Sequence, residues 1–121
     1  MDYFKENSQS KYLPTQLKSD KNLIEIIAVL RKELSPINIY FYGSRANLTN
    51  HQESDYDFVV ITPNSDTPSY EQSRKAKKAL KSLDVQSDIF VYSQDEFNEW
   101  KDEFSSILET ALNTGYEVSH L

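Results

Sequence analysis

Ile37-Asn38-Ile39-Tyr40-Phe41-Tyr42-Gly43-Ser44 and, after ten intervening residues, Asp55-Tyr56-Asp57-Phe58-Val59-Val60-Ile61-Thr62 are two apolar runs joined by a polar stretch. Both are β-branched and aromatic, the composition of strands. The first ends at Gly43, and Pro63-Asn64-Ser65-Asp66 breaks the second. Side chains alternate along a strand, so Asp55 and Asp57 share a face with Val59 and Ile61, their Cα atoms about 7 Å apart. Tyr56, Phe58 and Val60 take the other face. A third run, Val85 to Tyr92, carries Asp88 near its start.

Helical patterns surround these strands. Upstream, Leu23, Ile26, Ile27, Leu30 and Leu34 fall at helical spacing, with Ser19 or Asp20 as cap and Pro36 as stop. Ala46 to about Asn50 fits a short helical turn. Ser69 to Leu83 reads as a helix with Ala76, Leu80 and Leu83 inward. A last helix starts at the Ser93/Glu96 capping box and carries Phe97, Trp100, Phe104, Ile107, Leu108 and Ala111 as one stripe. Gly115 ends it, and Tyr116 to Leu121 can add an edge strand. The order α-β-(α)-β-α-β-α describes one layered α/β unit over residues 19–121, preceded by a polar arm over 1–18 that is loose or docks late.

Composition narrows the function. At 121 residues the chain suits one domain burying roughly two thirds of its unfolded surface, with one site and no separate substrate domain. The absence of cysteine excludes disulfides and thiolate chemistry. No signal-like stretch opens the chain, and no run approaches the roughly 20 apolar residues of a membrane span. A cytoplasmic protein is expected, with no membrane partner. The net charge of -6 repels nucleic acid as a whole-molecule field. Arg74, Lys75, Lys77, Lys78 and Lys81 make one helix basic, which reads as a solvated face ahead of a docking surface for an acidic partner or polynucleotide. His51 and His120 lack the companions a zinc site needs.

The aspartates carry the chemistry. Two carboxylates about 5 Å apart repel by about 3 kcal/mol at an effective dielectric of about 20. A divalent cation offsets that, and magnesium prefers a few carboxylates together with phosphate oxygens and water. Ser54-Asp55-Tyr56-Asp57 alone reads as an acidic turn before a strand. Asp88 tips the balance, because a third carboxylate can bind metal and accept a proton from an attacking hydroxyl. Gly43, one of only two glycines, lets a ligand approach the backbone, and the Ser44 hydroxyl with the amides after it can face phosphate oxygens. Arg45 can balance triphosphate charge, or simply be solvated.

Gly43-Ser44, ten residues, Asp55-x-Asp57 and then a lone Asp88 in Ser87-Asp88-Ile89-Phe90 resemble the minimal nucleotidyltransferases of the DNA polymerase β superfamily, over about residues 20–118. The resemblance implies a nucleotidyltransferase-like fold of the α/β (α+β) class, a small mixed sheet of three to four strands with helices packed on it. It implies that Asp55 and Asp57 hold two magnesium ions, with manganese as a substitute. Asp88 would complete one metal site and activate the nucleophile, and Gly43, Ser44 and Arg45 would contact the nucleotide, ATP first. Family members often read Gly-Ser-x-Ala-Arg-Gly, whereas this chain has Asn47-Leu48 in place of Arg-Gly. That removes a cation and a flexible position near the phosphates.

Three functions follow. In the first, the chain moves AMP from ATP onto an acceptor hydroxyl on a partner protein, as in pairs of a minimal nucleotidyltransferase with a helical HEPN toxin. In the second, it is a non-catalytic antitoxin-like subunit that inhibits its helical partner by contact. The third, a small-molecule transferase of the aminoglycoside-modifying kind, usually carries an additional helical domain. A homo-oligomer is compatible with each.

Overall fold

Alternation in the second apolar run is the key to the layering. The computed structural model describes residues 12–103 and 106–121. Strand β2 (Tyr56–Thr62) is interior to the sheet and turns Tyr56, Phe58 and Val60 into one core and Val59 and Ile61 into another. A strand covered on both faces needs apolar residues at consecutive positions, which is why Phe58-Val59-Val60-Ile61 is unbroken.

The sheet is mixed and four-stranded, in the order β3-β2-β1-β4. Strand β1 (Asn38–Tyr42) runs antiparallel to β2 and to the short β4 (Tyr116–Glu117), while β3 (Ser87–Ser93) runs parallel to β2. A parallel neighbour requires a crossover, here helix α3 (Ser69–Leu80) followed by a 3₁₀ turn, Lys81–Leu83. The spacing predicts a single helix to Leu83; the structure tightens its last turn and reverses the chain at Asp84, whose φ is 53°. The larger core lies beneath α1 (Thr15–Lys18), α2 (Lys21–Leu34) and α3, and takes in Leu13 and Leu17 from the segment before α2. Tyr12 of the same arm is exposed, and Tyr3 and Phe4 lie outside the described residues. Helix α2 is capped by Asp20, which accepts from the Leu23 amide at 3.1 Å, and buries Leu23, Ile26, Ile27, Leu30 and Leu34 as their spacing predicts.

The final helix of the sequence reading is two helices, α4 (Gln94–Trp100) and α5 (Ile107–Thr114). The capping box at Ser93/Glu96 opens the first. Ser106 opens the second by accepting from the Glu109 amide at 2.9 Å, so the chain restarts instead of continuing. Ser106-Ile107-Leu108-Glu109 has the same Ser-x-x-Glu spacing as the first box. The single stripe is correspondingly broken. Leu108 and Ala111 are buried, Trp100 and Ile107 are 46% and 39% exposed, and Phe104 lies outside the described residues. Gly115 ends α5, and a Cβ there would stand 2.6 Å from the Phe41 carbonyl oxygen. That close approach lets the chain leave the helix directly into β4 against β1.

Candidate active site

Register assembles the site. Tyr42 of β1 pairs with Asp57 of β2, and Asp57 pairs with Asp88 of β3, so three side chains stand in one row across three strands. Asp55 sits just ahead of β2 on the same side. Asp55, Asp57 and Asp88 can each present an oxygen within 4.8 Å of the other two, and all three are half-buried. Of the residues singled out in the sequence, these three are brought together.

The cluster is electrostatically unbalanced. Burial first, then the charges of Asp88 and Asp55, lift the Asp57 carboxyl from 3.8 to about 6. Burial, followed by Asp57, Asp88 and then Tyr92, pushes the Tyr42 hydroxyl far above its usual range and keeps it protonated. Lys77 of α3 places its Nζ 3.7 Å from Asp88, but both groups are about half exposed, so the pair offsets little of the charge. Sequence reasoning missed Tyr42 and Lys77 as neighbours of the aspartates. Lys77 carried only the signal of a basic helix, and Tyr42 only that of a strand residue before a glycine. A groove of about 650 Å³ runs along that basic helix, lined by Arg74, Lys75, Lys77, Lys78 and Lys81; the aspartates themselves lie on the sheet face.

Gly43 stands against the cluster. Its φ is +85°, and a Cβ added there would collide with Oδ2 of Asp57 and come within 3.2 Å of its Cγ. Beyond it the chain makes a compact turn, not a helix: the Asn47 amide donates to the Gly43 carbonyl (3.0 Å) and the Thr49 amide to the Ser44 carbonyl (2.9 Å). Ala46 anchors the turn in the larger core. Among the described residues, the Ser44 and Arg45 amides have no protein acceptor. Leu48 has a φ of 60° and is 45% exposed. The position at which family members commonly have glycine is thus a left-handed one. Leucine there costs about 1–2 kcal/mol, against the roughly 0.5–1 kcal/mol of chain freedom that glycine loses on folding. Leu48→Gly is expected to leave thermal stability unchanged or raise the Tm by a few degrees; a fall would show that the leucine side chain contributes more than its backbone costs.

Arg45 is not with the carboxylates. Its Nε donates to the Ser54 carbonyl at 2.7 Å and its Nη2 to the Gln52 carbonyl at 3.2 Å, and its guanidinium carbon lies 4.4 Å from the centre of the Tyr56 ring. Tyr56 faces away from Asp57 by strand alternation.

Residues 24–99 match the family described as Polymerase beta, Nucleotidyltransferase. This chain belongs to that nucleotidyltransferase family. The matched span runs from α2 through the turn, β2 and β3 into α4, and so contains every residue of the site. A solved structure described as "Crystal structure of the toxin-antitoxin with AMP-PNP" is similar in fold, with a TM-score of 0.52 at 22% identity over 78% of this chain and 69% of that one. No curated protein matches the sequence. The small mixed sheet with helices packed on it is the architecture that the resemblance implies, and the three carboxylates stand at the starts of β2 and β3. No described helix is long and apolar enough to cross a membrane.

Proposed function

We propose that this nucleotidyltransferase moves a nucleoside monophosphate, AMP from ATP, onto a hydroxyl of a partner protein. The observation that carries the reading is the row of Asp57 and Asp88, with Asp55 beside it, next to the Gly43–Ser44 turn. Three hard oxygen donors within 4.8 Å, one of them holding its proton to about pH 6, form a donor set suited to magnesium. Asp55 and Asp57 would hold two ions and Asp88 one of them. Magnesium bound there supplies charge stabilisation for the attacking and leaving oxygens.

The chain's own groups do the rest. Gly43 lets the triphosphate approach the backbone, and the Ser44 hydroxyl with the Ser44 and Arg45 amides orients it. The acceptor oxygen attacks the α-phosphorus, the bond to the bridging oxygen breaks, and pyrophosphate leaves. Asp88 takes the proton from the acceptor hydroxyl. A protein acceptor is favoured because the similar structure is a toxin-antitoxin assembly holding an ATP analogue. A helical HEPN-type toxin is the partner this reading names, in a cytoplasmic pair.

The left-handed Leu48 and the missing Arg-Gly pair favour a second reading, a contact inhibitor with an idle site. Calorimetry with a non-hydrolysable ATP analogue and magnesium separates the two. The transferase binds the analogue only with metal, and Asp55→Asn/Asp57→Asn loses that binding. Folded wild type that binds no nucleotide would favour the contact inhibitor.

A further inference from the structure

We infer that Arg45 is a positioning residue, which braces the motif loop against the carbonyl of Ser54 and thereby sets where Asp55 stands. The inference rests on the metal-dependent reading above and deepens it. Ser54 and Asp55 share a peptide plane, so a donor that fixes the Ser54 carbonyl also fixes the direction of the Asp55 amide and the position of its Cα, from which the side chain springs. Arg45 supplies that donor at 2.7 Å and spends a second one on Gln52, two residues earlier, at 3.2 Å. One planar guanidinium holding two carbonyls is a geometry that a lysine ammonium cannot reproduce.

The brace is itself anchored. The guanidinium lies over the Tyr56 ring, on the opposite face of β2 from Asp57. The Tyr56 hydroxyl donates to Asp20 at 2.9 Å, and Asp20 is the residue that caps α2. A continuous path therefore runs from the capped start of α2, through the Tyr56 ring and Arg45, to the peptide bond ahead of Asp55. Arg45 also follows Ser44 directly, so the same side chain ties the phosphate-facing turn to the carboxylates. The cation sits behind the strand that carries the aspartates, where it orders their loop and leaves their charge for the metal.

Manganese binding without nucleotide, followed by electron paramagnetic resonance, tests this together with hydrogen exchange of residues 49–55. Wild type, Arg45→Ala, Arg45→Lys and Tyr56→Phe are compared, with Asp57→Asn as control and circular dichroism as the check on folding. Removal of a group that orients a metal ligand weakens metal affinity by about 10–100-fold. Arg45→Ala is expected to lose at least tenfold, and Arg45→Lys to recover only part of it. Tyr56→Phe keeps the ring but loses the Asp20 bond, and falls between Arg45→Ala and wild type. Exchange in the loop accelerates in the same order. Arg45→Ala with wild-type manganese affinity, and a loss confined to the ATP analogue, would make Arg45 a phosphate ligand and overturn the inference. Wild type that binds no manganese would strike the metal reading instead. Unchanged loop exchange in Arg45→Ala overturns the brace whether or not metal binds.

Discussion

Gly43→Ala is expected to remove nearly all transfer activity while leaving the protein folded. The methyl group would enter the space held by the Asp57 carboxylate, colliding with Oδ2 and approaching Cγ to 3.2 Å. For folding this is a modest demand, because the end of a side chain can rotate away. The added cost is the left-handed φ of +85°, about 1–2 kcal/mol for alanine, or a Tm lower by several degrees. For the site it is severe, because the atom that must move is a proposed metal ligand. A displacement of about 1 Å at a reacting centre costs about 100-fold. Manganese binding should weaken in parallel. A folded Gly43→Ala protein with normal manganese affinity and normal turnover would show that Asp57 is free to point elsewhere.

Asp57→Asn is expected to abolish metal-dependent transfer and to stabilise the metal-free protein above pH 6. The Asp57 carboxyl is raised from 3.8 to about 6 in the fold, by burial and then by Asp88 and Asp55. A raised folded pKa means that the folded state holds the proton more tightly. The stabilising contribution is therefore complete below about 4, is lost as pH rises through about 6, and is absent at pH 7.5. A shift of about two units corresponds to roughly 3 kcal/mol; the group is partly solvated, so roughly 1 kcal/mol is the reasonable expectation. In a domain of this size that is a Tm gain of about 3–6 °C for the variant at pH 7.5, shrinking to nothing near pH 4. Magnesium should reverse the order, raising the wild-type Tm by ligand linkage and leaving the variant unmoved. A variant less stable than wild type at pH 7.5 without metal would show that the carboxylate has a structural partner.

Much of this was legible in the residues, for a physical reason. Strand alternation alone assigns Tyr56, Phe58 and Val60 to one core and Val59 and Ile61 to the other, and both cores exist. Asp20 as cap and the Ser93/Glu96 box are local hydrogen-bond patterns, and local patterns survive folding. The level pairing of Asp57 with Asp88 was not legible, because register between strands joined by a crossover depends on how α3 packs. Arg45 shows the same limit. Five donors on a flexible stem fit phosphate, water or backbone equally well, and only the fold puts the Ser54 carbonyl and the Tyr56 ring within its reach. The division of the last helix at Ser106 was legible in principle, since Ser106 and Glu109 repeat the spacing of Ser93 and Glu96. A long apolar stripe masked it.

The row of Tyr42, Asp57 and Asp88 spans a hairpin-like pair and a parallel pair, and these close at different costs. β1 and β2 are antiparallel neighbours, whereas β3 is joined to β2 through the α3 crossover and pairs with it in parallel. Long-range parallel pairing is slow because loop closure precedes its reward. A chain arrested before β3 docks would carry all three carboxylates without gathering them. On the metal-dependent reading proposed above, a complete donor set would therefore require the β2–β3 pairing, and a molecule without it would hold no assembled site.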